Sequence, residues 1–153
     1  MAAAVARIDA WAERELATGG FLVAAERQEV TDRTASYRWY LRFKGEEKDY
    51  ITVWFTLKQR TLHHEAQFMP VPEANQAAVY TYLLRRNAHL FGMWFALGPE
   101  DAIYLVGRVP ARLVDDDELD RIAGSSVFYT DEHFPTAMTL GYPKLYRRRP
   151  RRG

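Results

Sequence analysis

Three consecutive segments alternate residue by residue between two sets of side chains, and this pattern restricts the fold more than any other feature. They cover residues 37–44, 50–57 and 61–68, and one set in each is strongly apolar. A period of two residues is typical of a β-strand with one buried face. The breaks at 45–49 and 58–60 are short and polar, which suits hairpin loops. The sequence therefore predicts an antiparallel meander of three strands.

Helical patterns flank this meander. Residues 3–17 are amphipathic with a period near 3.6 and end at Gly19-Gly20. A second helix is predicted from about Glu73 to Asn87, with cations in its last turn. A third begins near Asp115–Asp117, whose carboxylates suit a helix start. We expect Pro135 to end or kink it.

Two further strands are predicted at residues 90–97 and 102–109, on either side of the turn at 98–101. Residues 21–34 fit either a short strand or a packed loop. The predicted order is α-βββ-α-ββ-α, an α+β fold with an antiparallel sheet and helices packed on one face.

The length of 153 residues and the lack of an internal repeat predict a single domain over residues 1–143. Residues 144–153 carry six of the chain's positive charges. With a formal net charge of +1 overall, they leave −5 for the rest. Such a tail is typically disordered and solvated. The alternative to a solvated tail is that its arginines bind nucleic acid weakly. Nucleic acid is not an expected partner of the rest of the domain.

The chain has no cysteine, which excludes thiol chemistry, disulfides and metal sites built on sulfur. We find no secretory signal and no apolar run of the length that a membrane span requires. A cytoplasmic protein is therefore expected.

Candidate catalytic groups do not combine into a known site. His63 and His64 are neighbours on a strand, so their side chains point to opposite faces. The acidic run Asp115–Glu118 lacks the glycine and ligand spacing of a calcium loop. No nucleophile elbow surrounds Ser125-Ser126, and phosphate-binding glycine motifs are missing. We predict no catalytic, metal or cofactor-binding residue, and hence not an enzyme.

The sheet face turned away from the helices is unusually aromatic. If the alternating sets that contain Trp39, Val53 and Met93 face the helices, this face carries Tyr40, Trp54, Trp94 and Tyr104. Exposed aromatic patches often mark binding surfaces, so these four residues are candidates for a protein-binding site. The alternative is that residues 18–34 or the C-terminal segment cover them.

The helix at residues 73–87 has more apolar surface than one stripe requires. The predicted apolar stripe consists of Ala77, Tyr80, Leu83 and Leu84. Val79 and Tyr82 lie partly outside it, and Arg85 and Arg86 would form a polar rim. These four residues are candidates for a homodimer contact. Alternatively, this surface packs beneath the first or last helix of the same chain.

Four ordered segments carry a family resemblance, at residues 70–87, 101–110, 117–122 and 129–135. They resemble the central part of actinobacterial YbjN-domain proteins. The resemblance implies a fold similar to type III secretion chaperones, which commonly form homodimers. It also implies a role as a sensory transduction regulator, and it supplies no catalytic residues.

The sequence thus predicts a non-enzymatic regulatory or chaperone-like module that binds a protein partner. The alternative is a small-molecule-binding domain or enzyme with an aromatic-lined cavity between sheet and helices.

Overall fold

A computed structural model describes residues 1–30 and 36–147 of the chain. This part contains three α-helices and one six-stranded antiparallel sheet. The elements in chain order are α1 (Ala2–Ala17), β1 (Leu22–Val30), β2 (Ser36–Lys44), β3 (Tyr50–Leu57), β4 (Thr61–Met69), α2 (Gln76–Asn87), β5 (Trp94–Leu97), β6 (Ile103–Pro110) and α3 (Asp116–Gly141).

The strand order is β1-β2-β3-β4-β6-β5, so the predicted meander forms the centre of the sheet. One face of the pleat buries a contiguous layer that includes Trp39, Phe55 and Leu105. Side chains at neighbouring positions point the other way, as the period of two requires. The predicted α+β class is confirmed.

Strand β1 is an addition to the predicted order. It pairs with β2 from Leu22↔Phe43 to Val30↔Ser36, with an irregularity between Leu22 and Ala24. Because β1 is an edge strand, residues 26–29 are all exposed and show no burial alternation. The periodic signal on which strand prediction depends is therefore absent from this segment.

The helices cover one face of the sheet. The Trp11 ring of α1 stacks on Phe55 of β3 at 6.1 Å between ring centroids. On α3, the Phe134 ring meets Phe68 of β4 edge to face at 6.0 Å. Among the described residues, no helix is long and apolar enough to cross a membrane.

Helix α3 begins as predicted, because Asp115 is its N-cap and its Oδ1 accepts from the Glu118 N–H at 2.8 Å. The helix does not end at Pro135 but continues to Gly141, so the helix end predicted at Pro135 is wrong. Ala137 and Gly141 are buried beyond the proline. Tertiary packing of this last turn outweighs the hydrogen bond that proline cannot donate.

Side-chain hydrogen bonds and an ion pair connect α1 to the sheet and to α3. The Asp9 carboxylate accepts from the Trp39 indole at 2.9 Å and pairs with Arg27 of β1. The Trp11 indole donates to Asp120 of α3 at 2.8 Å. The two half-buried bonds from Trp11 and Trp39 satisfy their indole N–H groups and help to position α1.

Candidate protein-binding face

The side of the sheet opposite the helices, here called the open face, carries three of the four predicted aromatic residues in a single transverse row. Tyr40 pairs with Trp54, and their rings meet edge to face at 5.2 Å. Trp54 pairs with Glu65, which pairs with Val106. Val106 in turn pairs with Trp94. The row therefore crosses the sheet from β2 to β5.

Tyr104 lies one row away, between Gln67 of β4 and Ala96 of β5. Its ring packs directly on the backbone of Gly98, where an added Cβ would lie 2.4 Å from the ring atom Cε2. Because a side chain at position 98 would fill this space, glycine there allows the ring to pack against the turn that follows β5. All four predicted aromatic residues thus share one face.

An open depression of about 310 Å³ lies beside the row, over β4, β6 and β5. It combines two aromatic rings with an imidazole, a carboxylate and a guanidinium. This mixture suits recognition of polar and apolar groups together. Its lining includes His63, Glu65, Trp94, Tyr104, Val106 and Arg108.

Two arginines are stacked on rings of the open face. The Arg38 guanidinium lies 4.1 Å from the centroid of the Trp54 ring, and that of Arg42 lies 3.9 Å from Tyr50. Both distances are within the cation–π range. Sequence reasoning did not select these arginines, although their alternation with Tyr40 in β2 places them on the same face.

His63 is held neutral on this face. Burial is the main cause that lowers its pKa, and the positive charges of Lys58 and Arg108 lower the pKa further. Glu65 acts in the opposite direction. The imidazole is therefore a neutral hydrogen-bonding group at neutral pH.

Neither of the two segments considered as covers lies across the open face within the described residues, although Tyr40, Trp54 and Tyr104 are half-buried there. Strand β1 extends the sheet beside β2 instead of lying across it. Near the C-terminus, the Tyr146 ring contacts Phe134 on the helix side of the sheet. Trp94 is 40% exposed. Residues 31–34 and 148–153, which belong to the segments considered as covers, lie outside the described residues.

The predicted dimer contact on α2 requires a correction at Val79. This side chain is completely buried and lies against Gly141 of α3, so it is a core residue. Tyr82 is half-buried, with its hydroxyl 2.9 Å from Nδ1 of His133. Arg86 lies over the Tyr82 ring at 5.4 Å, and Arg85 is exposed.

The apolar stripe of α2 is rotated relative to the prediction. Val79 and Leu83 face the core, whereas Ala77 is exposed and Leu84 is 67% exposed. An open depression of about 440 Å³ follows the outer surface of the helix along Ala77, Ala78, Thr81, Tyr82, Arg85 and Arg86.

The two neighbouring histidines point to opposite faces, as predicted. His64 is fully buried beneath the helices, while His63 lies on the open face. Over residues 1–30 and 36–147, no three histidine, aspartate or glutamate side chains are grouped closely enough to hold a metal ion.

A family described as "Putative bacterial sensory transduction regulator", YbjN, matches residues 7–137. The chain belongs to the YbjN family. The match extends from α1 into the last turns of α3 and includes every strand of the open face. The description of the family names a regulatory role and no catalysed reaction.

Curated relatives of this YbjN chain come from mycobacteria. Uncharacterized proteins of Mycobacterium tuberculosis and Mycobacterium bovis are 35% identical to it over 98 residues, which are 64% of this chain and 54% of each relative. One of Mycobacterium leprae is 32% identical over 105 residues, 69% of this chain and 57% of the relative. The YbjN chain spans about half the length of the curated relatives it matches.

Proposed function

We propose that this YbjN chain is a non-enzymatic regulatory or chaperone-like module in the cytoplasm that binds a protein partner through the open face. The observation that carries the proposal is the transverse row in which Tyr40, Trp54 and Trp94 share the open face of the sheet. Aromatic residues and arginine are enriched where binding energy concentrates in protein interfaces. The description of the family supports the regulatory part of the proposal.

Charge favours an acidic segment of the partner protein. The guanidinium groups of Arg38 and Arg42 lie over aromatic rings of this face, and a guanidinium group is well suited to binding a carboxylate. Arg108 adds a further cation at the depression beside Trp94. Since Arg38 and Arg42 already contact rings in the unbound chain, their binding to a partner requires less loss of side-chain entropy.

A small-molecule or catalytic role has weaker support. The space between sheet and helices is filled by side chains such as Trp11, Phe55 and Phe68. The polar groups His63, Glu65 and Arg108 converge instead on an open depression. An open, mixed surface of this kind is better suited to a protein partner than to an enclosed ligand.

Site-specific photocrosslinking tests the proposal in lysate from the source bacterium. A photoreactive residue at position 94 should crosslink an acidic protein, identified by mass spectrometry, and Trp54→Ala or Arg38→Glu should reduce its yield at least several-fold. A probe at position 128 is the matched control, because Phe128 is a 61% exposed aromatic residue on α3. Thermal unfolding identifies any variant that loses its fold.

Equal crosslinking from positions 94 and 128 would count against an open-face site. So would an undiminished yield in folded Trp54→Ala and Arg38→Glu variants. A crosslinked species containing only a small metabolite would favour the small-molecule alternative.

A further inference from the structure

The two edges of the sheet differ in their hydrogen bonding. At the β5 edge, the Phe95 N–H donates to Oδ1 of Asn87 at 2.7 Å, and Nδ2 of Asn87 donates to the Phe95 carbonyl at 3.2 Å. A neighbouring strand would make the same pair of bonds. The Asn87 carboxamide therefore occupies the place of a strand partner at Phe95 and blocks pairing of this edge there.

The β1 edge has no such block. Strand β1 contains nine residues and is the edge strand at the opposite end of the sheet from β5. Among residues 1–30 and 36–147, no group outside β2 bonds to the backbone of Leu22–Val30. Residues 26–29 at its centre are exposed. A strand edge of this kind is a template for pairing with another chain.

We propose that β1 pairs antiparallel with β1 of a second copy of this chain, which joins the two sheets into one of twelve strands. A two-fold axis perpendicular to the sheet keeps both open faces on the same side. Opposite residues must then belong to the same face. The two-fold axis must therefore lie level with one residue of β1, and not between two residues. The candidates near the middle of the strand are Glu26, Arg27 and Gln28.

The charges of β1 select one of these registers. A centre at Glu26 or Arg27 would place that charged residue opposite its own copy, and like charges directly opposite are unfavourable, whereas a centre at Gln28 places an uncharged residue there. A centre at Gln28 places Arg27 of each copy opposite Glu29 of the other. Only the third register brings opposite charges together twice, and it makes a second copy the favoured occupant of this edge.

The intramolecular bond of Arg27 is compatible with this pairing. Its Nη1 atom is bound to Asp9, yet the side chain is still 37% exposed. A guanidinium has five donors, so it can bind Asp9 and the carboxylate of Glu29 from a second copy together. The pairing does not depend on the proposed partner of the open face.

Charge-reversed variants and their mixture test the pairing by sedimentation equilibrium. The wild-type chain should shift with concentration from 17.8 kDa towards twice that mass. Arg27→Glu and Glu29→Arg alone each place like charges opposite one another, and each should weaken dimerisation by about tenfold. An equimolar mixture of the two variants restores both opposite-charge pairs and should restore the dimer, as should the double variant.

Glu13→Arg on the exposed side of α1 is the control, and it should dimerise as the wild type does. Far-ultraviolet circular dichroism and thermal unfolding establish that each variant is folded. A wild-type mass of 17.8 kDa at all concentrations would overturn the proposal. Dimers that withstand both single reversals, or a mixture of folded variants that stays monomeric, would also overturn it.

Discussion

At the scale of single residues, His64 is a titratable side chain in the core of the fold. It is completely buried, and its ring occupies the space that a side chain at Gly107 would need. An added Cβ there would lie 2.4 Å from Cε1 of the ring. Burial is the main cause that lowers the pKa of His64 to about 4, and the charge of Arg121 adds to it.

The His64 imidazole should make the fold sensitive to acid. Its pKa is about 4 in the folded chain and about 6.5 when unfolded. The unfolded chain therefore binds the proton more readily, and stability falls as the pH decreases from 6.5 to 4. The contribution is on the order of 3 kcal/mol. Urea denaturation across this range should show a shallower pH dependence for His64→Leu than for the wild type.

His89→Leu is the control for this prediction, because His89 is exposed at the end of α2. Burial also lowers the pKa values of His63 and His133, so some pH dependence should remain in His64→Leu. Identical slopes for His64→Leu and the wild type would contradict the prediction.

At the scale of elements, one carboxylate of α3 holds the loop between β2 and β3. The Asp131 side chain accepts from the N–H groups of Glu46, Glu47 and Lys48 at 3.0, 3.1 and 3.2 Å. The Lys48 ammonium donates in turn to the carbonyls of Gln67 and Phe68 at 2.9 and 3.1 Å. Burial lowers the pKa of Lys48 to about 8, which the nearby Asp131 charge partly offsets.

Removal of this carboxylate should loosen the hairpin loop. Asp131→Ala leaves three N–H groups without their acceptor, at an expected cost of about 1–3 kcal/mol in the free energy of unfolding. Hydrogen exchange at residues 46–48 should accelerate more than exchange in the strands. Glu132→Ala changes the adjacent exposed carboxylate and should leave both measurements near their wild-type values. Unchanged exchange at residues 46–48 in Asp131→Ala would show that the loop does not need this acceptor.

Element prediction succeeded where burial leaves a periodic trace in the sequence. Strands β2 to β4 each bury one face, so their alternation gave both type and orientation. The phase of α2 was wrong because the run from Ala77 to Tyr80 is apolar at four successive positions, which does not identify the buried side. The contact of Val79 with Gly141 decides it. That contact joins elements distant in the sequence.

At the scale of the whole molecule, the sequence indicated the face of the candidate site but not its arrangement. The period of two assigned Tyr40, Trp54, Trp94 and Tyr104 to one side of the sheet. The row itself depends on β6 lying between β4 and β5, a non-sequential order. Pairing of Glu65 with Val106 is a long-range property. No local pattern contains it.

The carboxamide of Asn87 has a consequence for the stoichiometry of any assembly. A sheet that can grow at both ends forms open filaments, whereas one with a single free end forms closed pairs. Asn87→Ala would expose the Phe95 N–H and carbonyl and make both ends available. Light scattering should then detect species larger than two chains, which Gln76→Ala at the other end of α2 should not produce. A folded Asn87→Ala variant with the wild-type mass distribution would mean that the short β5 strand limits growth by its length alone.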